Sequence, residues 1–340
     1  MGVSVCTELE IYTLTLRLGG GSFQERMLSP RVIYWAGDQV FWQCRTLHAC
    51  ETYPAGGFRG LSSKILFDIP DPWQESDIAP SLIDHQQFWR AVVDHYSRCQ
   101  LTYPDIDKLA AIAGIAEQVA RVLNDAYIAG LFRKQLPGAL LWYRAHKIPS
   151  QDRPPSGPYR CPSWSWAKLD TAVVLDNISD ESRYNCLADV KHVEVVPYNV
   201  TNVFGRLSSA SMVLHGWITS FYWVLPAPGG EAPSLIPQLA REFRSGVEEL
   251  GPEVASQRLE FDFADDIYQA QEGVSFMPIN FYTQLGWIVG LVLWRIEKHG
   301  QQVYERLGIC RLRSVHRIEG ESDDIMWRFE ELPKQDVILV

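Results

Sequence analysis

The sequence predicts an α+β protein in which an N-terminal helical half packs on a C-terminal antiparallel β half. Apolar residues recur at helical spacing between residues 82 and 124. Runs rich in valine, isoleucine and aromatic residues dominate residues 188–313 and favour strands. A proline-rich segment, residues 148–164, lies between the two patterns. With 340 residues, the chain is long enough to bury a large core.

Two helices are indicated by their spacing. The first covers residues 82–99, and its apolar face is formed by Trp89, Val92, Val93 and Tyr96. The second covers residues 101–124, with Thr102 as N-cap, Asp105 at capping-box spacing and Pro104 in the first turn. Small residues in this helix would let a neighbouring helix approach closely: Ala110, Ala113, Gly114 and Ala116.

A third helix is expected over residues 127–144, bent or broken at Pro137 and Gly138. Residues 31–44 are typical of two short strands joined by a turn. The acidic segment 226–260 is expected to form loops with one short helix. Strands are predicted at 188–196, 210–225, 273–282, 286–297 and 302–313, the last two forming a hairpin.

Composition narrows the class of protein. The net charge of −10 argues against nucleic-acid binding, because phosphate contacts need clustered basic residues, and the basic run 310–317 is typical of a solvated strand face. Seven scattered cysteines without a CxxC motif indicate free thiols in a reducing compartment. No signal peptide is apparent, and the longest apolar run, residues 285–294, is too short to span a bilayer. We therefore expect a cytoplasmic protein without a membrane span.

The familiar motifs of enzyme chemistry are missing from the sequence. It has no GxGxxG, no phosphate-binding P-loop and no HExxH, so no cofactor is expected. The spacing of Cys44, His48 and Cys50 matches no zinc pattern, so no metal is expected either. Ser163 and Ser165 do not lie in a nucleophile elbow and are typical of small residues in a tight turn.

Several stretches together resemble the fungal heterokaryon-incompatibility (HET) domain family. Residues 22–44 (SFQERMLSPRVIYWAGDQVFWQC) are similar to the end of the HET domain and its exit strands. Residues 88–116 (FWRAVVDHYSRCQLTYPDIDKLAAIAGIA), 127–143 (YIAGLFRKQLPGALLWY) and 159–170 (YRCPSWSWAKLD) resemble the region that follows it. Residues 290–312 (GLVLWRIEKHGQQVYERLGICRL) are similar to the family's closing hairpin.

The resemblance implies a division of the chain into three segments within one unit. Residues 1–60 would be the remnant of a HET domain end, 61–158 a helical segment and 159–340 a β-rich segment. The family's HET domain is linked to cell death. Because only its last part has a counterpart here, we do not expect that domain's nucleotide chemistry from this chain.

A HET-like type also serves fungal secondary metabolism as a norbornene-forming pericyclase. The first hypothesis is therefore a cofactor-independent intramolecular Diels–Alder cyclase acting on an apolar terpenoid or polyketide intermediate. Such a reaction needs a shaped apolar pocket and a donor that polarises a carbonyl group. The candidate catalytic residues are His95, Tyr96, Tyr143 and Arg160. The candidate substrate-binding residues are Trp89, Arg98, Trp142, Trp164 and Trp166.

Three alternatives remain open from the sequence. Trp164 and Trp166 are also typical of core residues in a packed corner, and His95 of an ordinary hydrogen-bonded helix residue. The chain is alternatively an interaction or regulatory module without enzymatic activity, which would expose an apolar patch. A third hypothesis is a hydrolase or isomerase that uses His95 with Asp94 or Asp105. The oligomeric state is left open.

Overall fold

The computed structural model describes residues 20–35, 39–44, 47–56, 82–145, 158–175, 184–224, 236–243, 246–249, 254–263, 273–314, 327–330 and 332–340. Both helices and strands occur there, and strands predominate, which confirms the α+β class at that level. The α-helices are α1 (Gly20–Leu28), α2 (Leu82–Ser97), α3 (Pro104–Asp107), α4 (Ala113–Leu123) and α5 (Trp327–Glu330). Short 3₁₀ turns cover Ala110–Ile112, Arg133–Gln135, Gly138–Leu141 and Trp166–Lys168.

The apolar face predicted for helix α2 is confirmed. Its four residues have no exposed surface: Trp89, Val92, Val93 and Tyr96. The close helix approach predicted around Gly114 is confirmed as well, with α1 as the neighbour. The Gly114 N–H donates to Gln24 Oε1 at 2.7 Å, so a side chain from α1 satisfies one of the free donors at the start of α4.

The second predicted helix, residues 101–124, is broken in the structure. It consists of α3, the 3₁₀ turn Ala110–Ile112 and α4. The backbone of Ile112 leaves the helical region, with φ −122° and ψ 7°, which separates the two helical pieces. The residue before α3 is Tyr103, without a capping side chain, so the prediction of Thr102 as N-cap is wrong. Pro104 does occupy the first turn, as predicted.

The third predicted helix, residues 127–144, is wrong. The segment forms a hairpin of strands β4 (Tyr127–Ile128) and β5 (Leu131–Phe132), followed by 3₁₀ turns and strand β6 (Tyr143–Arg144). Ala129 has φ +49° and Gly130 has φ +96°, as a two-residue type I′ turn requires. Two consecutive residues with positive φ end any right-handed helix, which is why the helical composition did not decide the fold here.

Strands in the first described part form a three-stranded antiparallel sheet, which confirms the two strands predicted within residues 31–44. Its strands are β1 (Arg31–Trp35), β2 (Val40–Cys44) and β3 (His48–Cys50). A two-stranded sheet pairs β6 with β7 (Val173–Val174).

Counted over the described residues, the large sheet contains eleven strands, and its pairs are antiparallel except for β17–β18. Its path runs β13-β12-β11-β15-β16-β17-β18-β10-β9, with β14 beside β17 and β8 beside β15. The strands are β8 (Asn185–Cys186), β9 (Asp189–Pro197), β10 (Leu207–Gly216), β11 (Thr219–Val224), β12 (Ile236–Phe243), β13 (Gly246–Glu249), β14 (Val254–Phe261), β15 (Val274–Tyr282), β16 (Trp287–Lys298), β17 (Gln301–Ser314) and β18 (Gln335–Leu339).

This sheet confirms some strand predictions and corrects others. The hairpin predicted at the end of the β region is β16–β17, closed where Lys298 pairs with Gln301. The single strand predicted over residues 210–225 is two strands, β10 and β11. The loops and short helix expected over 226–260 are wrong, because the described residues there form β12, β13 and β14.

The main hydrophobic core lies between the helices and one face of the large sheet. It joins aromatic residues of the helical part to apolar residues of β10, β16 and β18. A smaller cluster, with Phe221, Phe276 and Phe329, includes residues of the opposite face. In the part of the chain that the structure describes, no helix is both long and apolar enough to cross a membrane.

Candidate functional site

The motif SWSW lies at the centre of the core, against the β4–β5 turn. Ser165 precedes the 3₁₀ turn Trp166–Lys168, and its Oγ accepts from the Ala167 N–H at 3.1 Å. The same hydroxyl donates to the carbonyl of Ala129 at 2.6 Å. Ser165 therefore caps the 3₁₀ turn Trp166–Lys168 and binds the β4–β5 turn, and it is fully buried.

Two tryptophans bind the second carbonyl of the same turn. The indole N–H groups of Trp89 and Trp166 both donate to Gly130 O, at 3.2 and 2.8 Å. A buried carbonyl needs a donor, and here side chains supply one donor to the Ala129 carbonyl and two to the Gly130 carbonyl. We call Trp89, Ser165 and Trp166 the turn clamp. It joins helix α2, the SWSW motif and the β4–β5 hairpin.

Trp142, the residue before strand β6, forms a second contact with the SWSW motif. The indole N–H of Trp142 donates to the carbonyl of Trp164 at 2.9 Å. The indole N–H of Trp164 is buried and has no hydrogen-bond partner among the described residues. An unpaired buried donor of this kind costs free energy, and it is the one polar group of the tryptophan set left unsatisfied.

Five of the six predicted aromatic pocket residues have no exposed surface in this structure, and the sixth, Tyr143, is half-buried. Trp89, Tyr96, Trp142, Trp164 and Trp166 are all 0% exposed. The hydroxyl of Tyr96 donates to the carbonyl of Lys108 at 2.8 Å, and burial raises the pKa of that phenol above its ordinary value. Trp164 and Trp166 therefore have the surroundings of core residues in a packed corner. A substrate would reach them only if the core opened. Their role as substrate-binding residues stays a prediction.

Arg160 has no donor left for a substrate carboxylate. Its guanidinium makes five hydrogen bonds, to Asp105, Asp170 and the carbonyl of Lys168, and a guanidinium has five N–H donors. Although burial lowers the pKa of Arg160, hydrogen bonds to Asp170 and Asp105 raise it above its ordinary value. Its geometry is that of a cross-link between α3 and the segment after SWSW.

The other predicted residues lie at the edge of this core. Arg98 donates to Asp94 at 2.7 Å, one helical turn away, in a partly exposed ion pair. His95 is half-buried on α2 and interacts within the chain. Tyr143 is half-buried, with the Arg311 guanidinium carbon 5.2 Å from its ring centre.

The catalytic pairing of His95 with an aspartate stays a prediction. Asp94 binds Arg98, and Asp105 lies 2.6 Å from Arg160, so both carboxylates already have an arginine partner.

A buried charged network that the sequence did not indicate lies beside Trp142. Arg306 and Lys168 both bind the carboxylate of Asp262, and the Lys168 contact is 2.7 Å long. Arg306 also donates to Trp142 O and lies over the Trp142 ring, 3.5 Å from its centre. Lys168 donates to Arg306 O at 2.8 Å. The network connects the strand β17 to the SWSW segment, and Arg306 and Asp262 are buried almost completely.

Ser163 also has a structural contact. Its N–H donates to the backbone oxygen of Val340 at 2.9 Å, and its Oγ donates to the same atom. The Arg306 N–H donates to Ser163 Oγ at 2.9 Å. Both serines of the motif therefore bind main-chain groups.

Cys161 provides a pH-dependent contribution to stability at this corner. Burial raises the pKa of its thiol from 9.0 to about 11. The unfolded chain loses this proton at lower pH than the folded chain, so the folded state holds more protons between pH 9 and 11 and its stability falls as pH rises through that window. We expect Cys161→Ser to lose less stability than wild type between pH 9 and 11. Urea unfolding at several pH values measures this, and equal slopes for both proteins would contradict it.

Within the described residues, no group of three His, Cys, Asp or Glu side chains is placed to hold a metal ion.

Comparisons with known proteins provide no relative for this chain. No model of a protein family, no curated protein and no solved structure matches it.

Proposed function

We propose that this chain is an interaction module of the HET type, which binds a HET domain through the outward face of strands β1 and β2. The observation that carries the proposal is the exposure of Trp35, 78%, beside Ile33, 50%, on a short strand. The proposal includes two predictions from the sequence: that a helical half packs on a β half, and that the protein is cytoplasmic.

The two exposed apolar side chains, Ile33 and Trp35, lie on one face of the sheet, which also carries the exposed Arg31. Side chains alternate along a strand, and cross-strand partners lie on the same face. Ile33 pairs with Trp42, and Trp35 pairs with Val40. We call these four residues the β1–β2 face. The opposite side of the sheet carries Phe41, which is buried, so this sheet already uses its other face for packing.

A face of this composition is suited to a protein partner. Tryptophan is enriched among the few residues that contribute most of the binding energy at protein interfaces. Exposed apolar side chains that cluster on one face indicate an interaction site more strongly than scattered ones. The partner is inferred from the resemblance of residues 22–44 to the end of a HET domain, since these residues include both strands of the face.

The geometry at the SWSW motif favours this module over the cyclase. Five of the predicted pocket residues have no exposed surface, and the hydrogen-bond donors of Trp89, Tyr96, Trp142 and Trp166 are bound to main-chain carbonyls. These contacts are those of a scaffold that keeps its surface in place. The Diels–Alder cyclase stays a prediction, and it is tested by adding the uncyclised precursor to purified protein and following loss of that isomer by LC–MS.

Replacement of Trp35 with serine is expected to weaken binding of a HET domain about tenfold or more, because a central interface tryptophan is lost. Isothermal titration of the purified chain with a recombinant HET domain from a fungal family member measures the dissociation constant. Since Trp35 is exposed, the melting temperature of the variant should stay close to that of wild type.

The matched control is Tyr103→Ser, which removes another aromatic side chain that is 64% exposed but lies outside the β1–β2 face. This variant should bind the HET domain as tightly as wild type. Equal loss in both variants would show that the face is not the contact. Absence of binding by the wild type would refute the HET domain as partner.

A further inference from the structure

Strand β9 forms one edge of the large sheet and is incompletely covered. Among the described residues, it pairs only with β10. Its core-facing valines, Val190, Val193 and Val195, pair with buried residues of β10, yet they are only half-buried themselves. A strand added at this edge would cover them further and would pair with the backbone groups that face away from β10.

The charges of β9 are arranged so that the strand complements itself. Lys191 and His192 are exposed near its beginning, and Glu194 is exposed towards its end. A register shift against β10 leaves Lys191 without an opposite residue, and both basic side chains are exposed. If a second β9 strand lies antiparallel about Val193, His192 of each strand lies opposite Glu194 of the other, and Lys191 lies one residue further along. Opposite charges across a strand pair stabilise it, whereas a parallel arrangement would place like charges together.

The loop after β9 adds apolar surface to the same edge. Tyr198, Val200 and Val203 are exposed, Val200 by 82%. The loop has a defined shape, because Asn199 Oδ1 accepts from both the N–H and the hydroxyl of Thr201, at 3.0 and 2.8 Å. In a two-fold arrangement, each loop extends past the start of the other strand, so apolar contacts would flank the central charge pairs.

We propose that this chain forms a two-fold symmetric dimer with a second copy of itself, by antiparallel pairing of the two β9 strands. A two-fold contact must use the same surface on both copies, and β9 meets that condition through its charges. This inference goes beyond the proposed function and does not depend on it, because it concerns the protein alone.

Sedimentation equilibrium of the purified chain over a wide concentration range tests the proposal. We expect a reversible monomer–dimer equilibrium that weakens as salt is added, because the central contacts are ionic. Glu194→Lys should raise the dimer dissociation constant tenfold or more by placing like charges opposite each other. The double variant H192E/E194K should recover much of the lost affinity, since the residues opposite each other then carry complementary charges again.

The matched control is Glu297→Lys, which makes the same change at an exposed position of strand β16 and should leave the dimer intact. Circular dichroism of each variant shows whether it folds. As a measurement that needs no variant, hydrogen exchange of wild type should slow in β9 as the concentration rises. A monomer at all concentrations, or a dimer equally stable with Glu194→Lys and without β9 protection, would overturn the proposal.

Discussion

Replacement of Asp262 with alanine is expected to destabilise the protein by about 3–5 kcal/mol. The change removes the carboxylate shared by Arg306 and Lys168, and it leaves the Arg306 guanidinium buried without its ionic partner. Burial already lowers the pKa of Arg306, although the Asp262 carboxylate opposes that effect. Urea unfolding followed by tryptophan fluorescence measures the loss, and the signal suits the question because Trp142 lies beside the network.

The control for Asp262→Ala is Asp94→Ala, which breaks the Arg98 ion pair on helix α2. Both partners of that pair are partly exposed, so the expected loss is about 1 kcal/mol or less. The double variant D262A/R306M should recover part of the stability, because it also removes the buried charge. Similar losses for Asp262→Ala and Asp94→Ala would show that the network is not a major source of stability.

Gly130→Ala is expected to destabilise the protein by about 3 kcal/mol or more. A Cβ atom at this position would lie 2.6 Å from Nε1 of Trp166, and the backbone has φ +96°. The variant must therefore strain the turn and displace an indole that donates to Gly130 O. Since the turn clamp connects α2, the SWSW motif and the hairpin, the thermal melting temperature should fall clearly.

Gly300→Ala separates the two causes of the expected destabilisation, which are the positive φ angle and the clash with Trp166. Gly300 lies in the β16–β17 hairpin with φ +73°, and a Cβ atom there would meet nothing within 4 Å. It therefore reports the cost of the left-handed backbone alone, about 1 kcal/mol. If Gly130→Ala costs no more than Gly300→Ala, then the contact with Trp166 is not important for stability.

The buried face of α2, the β1–β2 strands and the β16–β17 hairpin could be predicted from the sequence. In each of these segments, the local apolar pattern favours the same secondary structure as the tertiary packing does. The segment 127–144 was predicted wrongly because its composition suits a helix, whereas two positive φ angles at Ala129 and Gly130 make a turn. The turn is stabilised by Trp89, Ser165 and Trp166, which lie about 40 residues away in the sequence, and local propensity contains no information about them.

The candidate site likewise has features that the local sequence predicts and features that only distant contacts decide. The sequence by itself determined that the chain is rich in aromatic residues and that two tryptophans flank Ser165, because composition and local spacing can be read without the fold. Only the tertiary structure decided that the tryptophans around SWSW have no exposed surface, and that Arg160 uses all its donors within the protein. It also decided that Asp262 lies between Arg306 and Lys168. Burial and ion pairing depend on which distant segments pack against each other. The free energy of that packing is the sum of many contacts between segments, so no single stretch of sequence contains it.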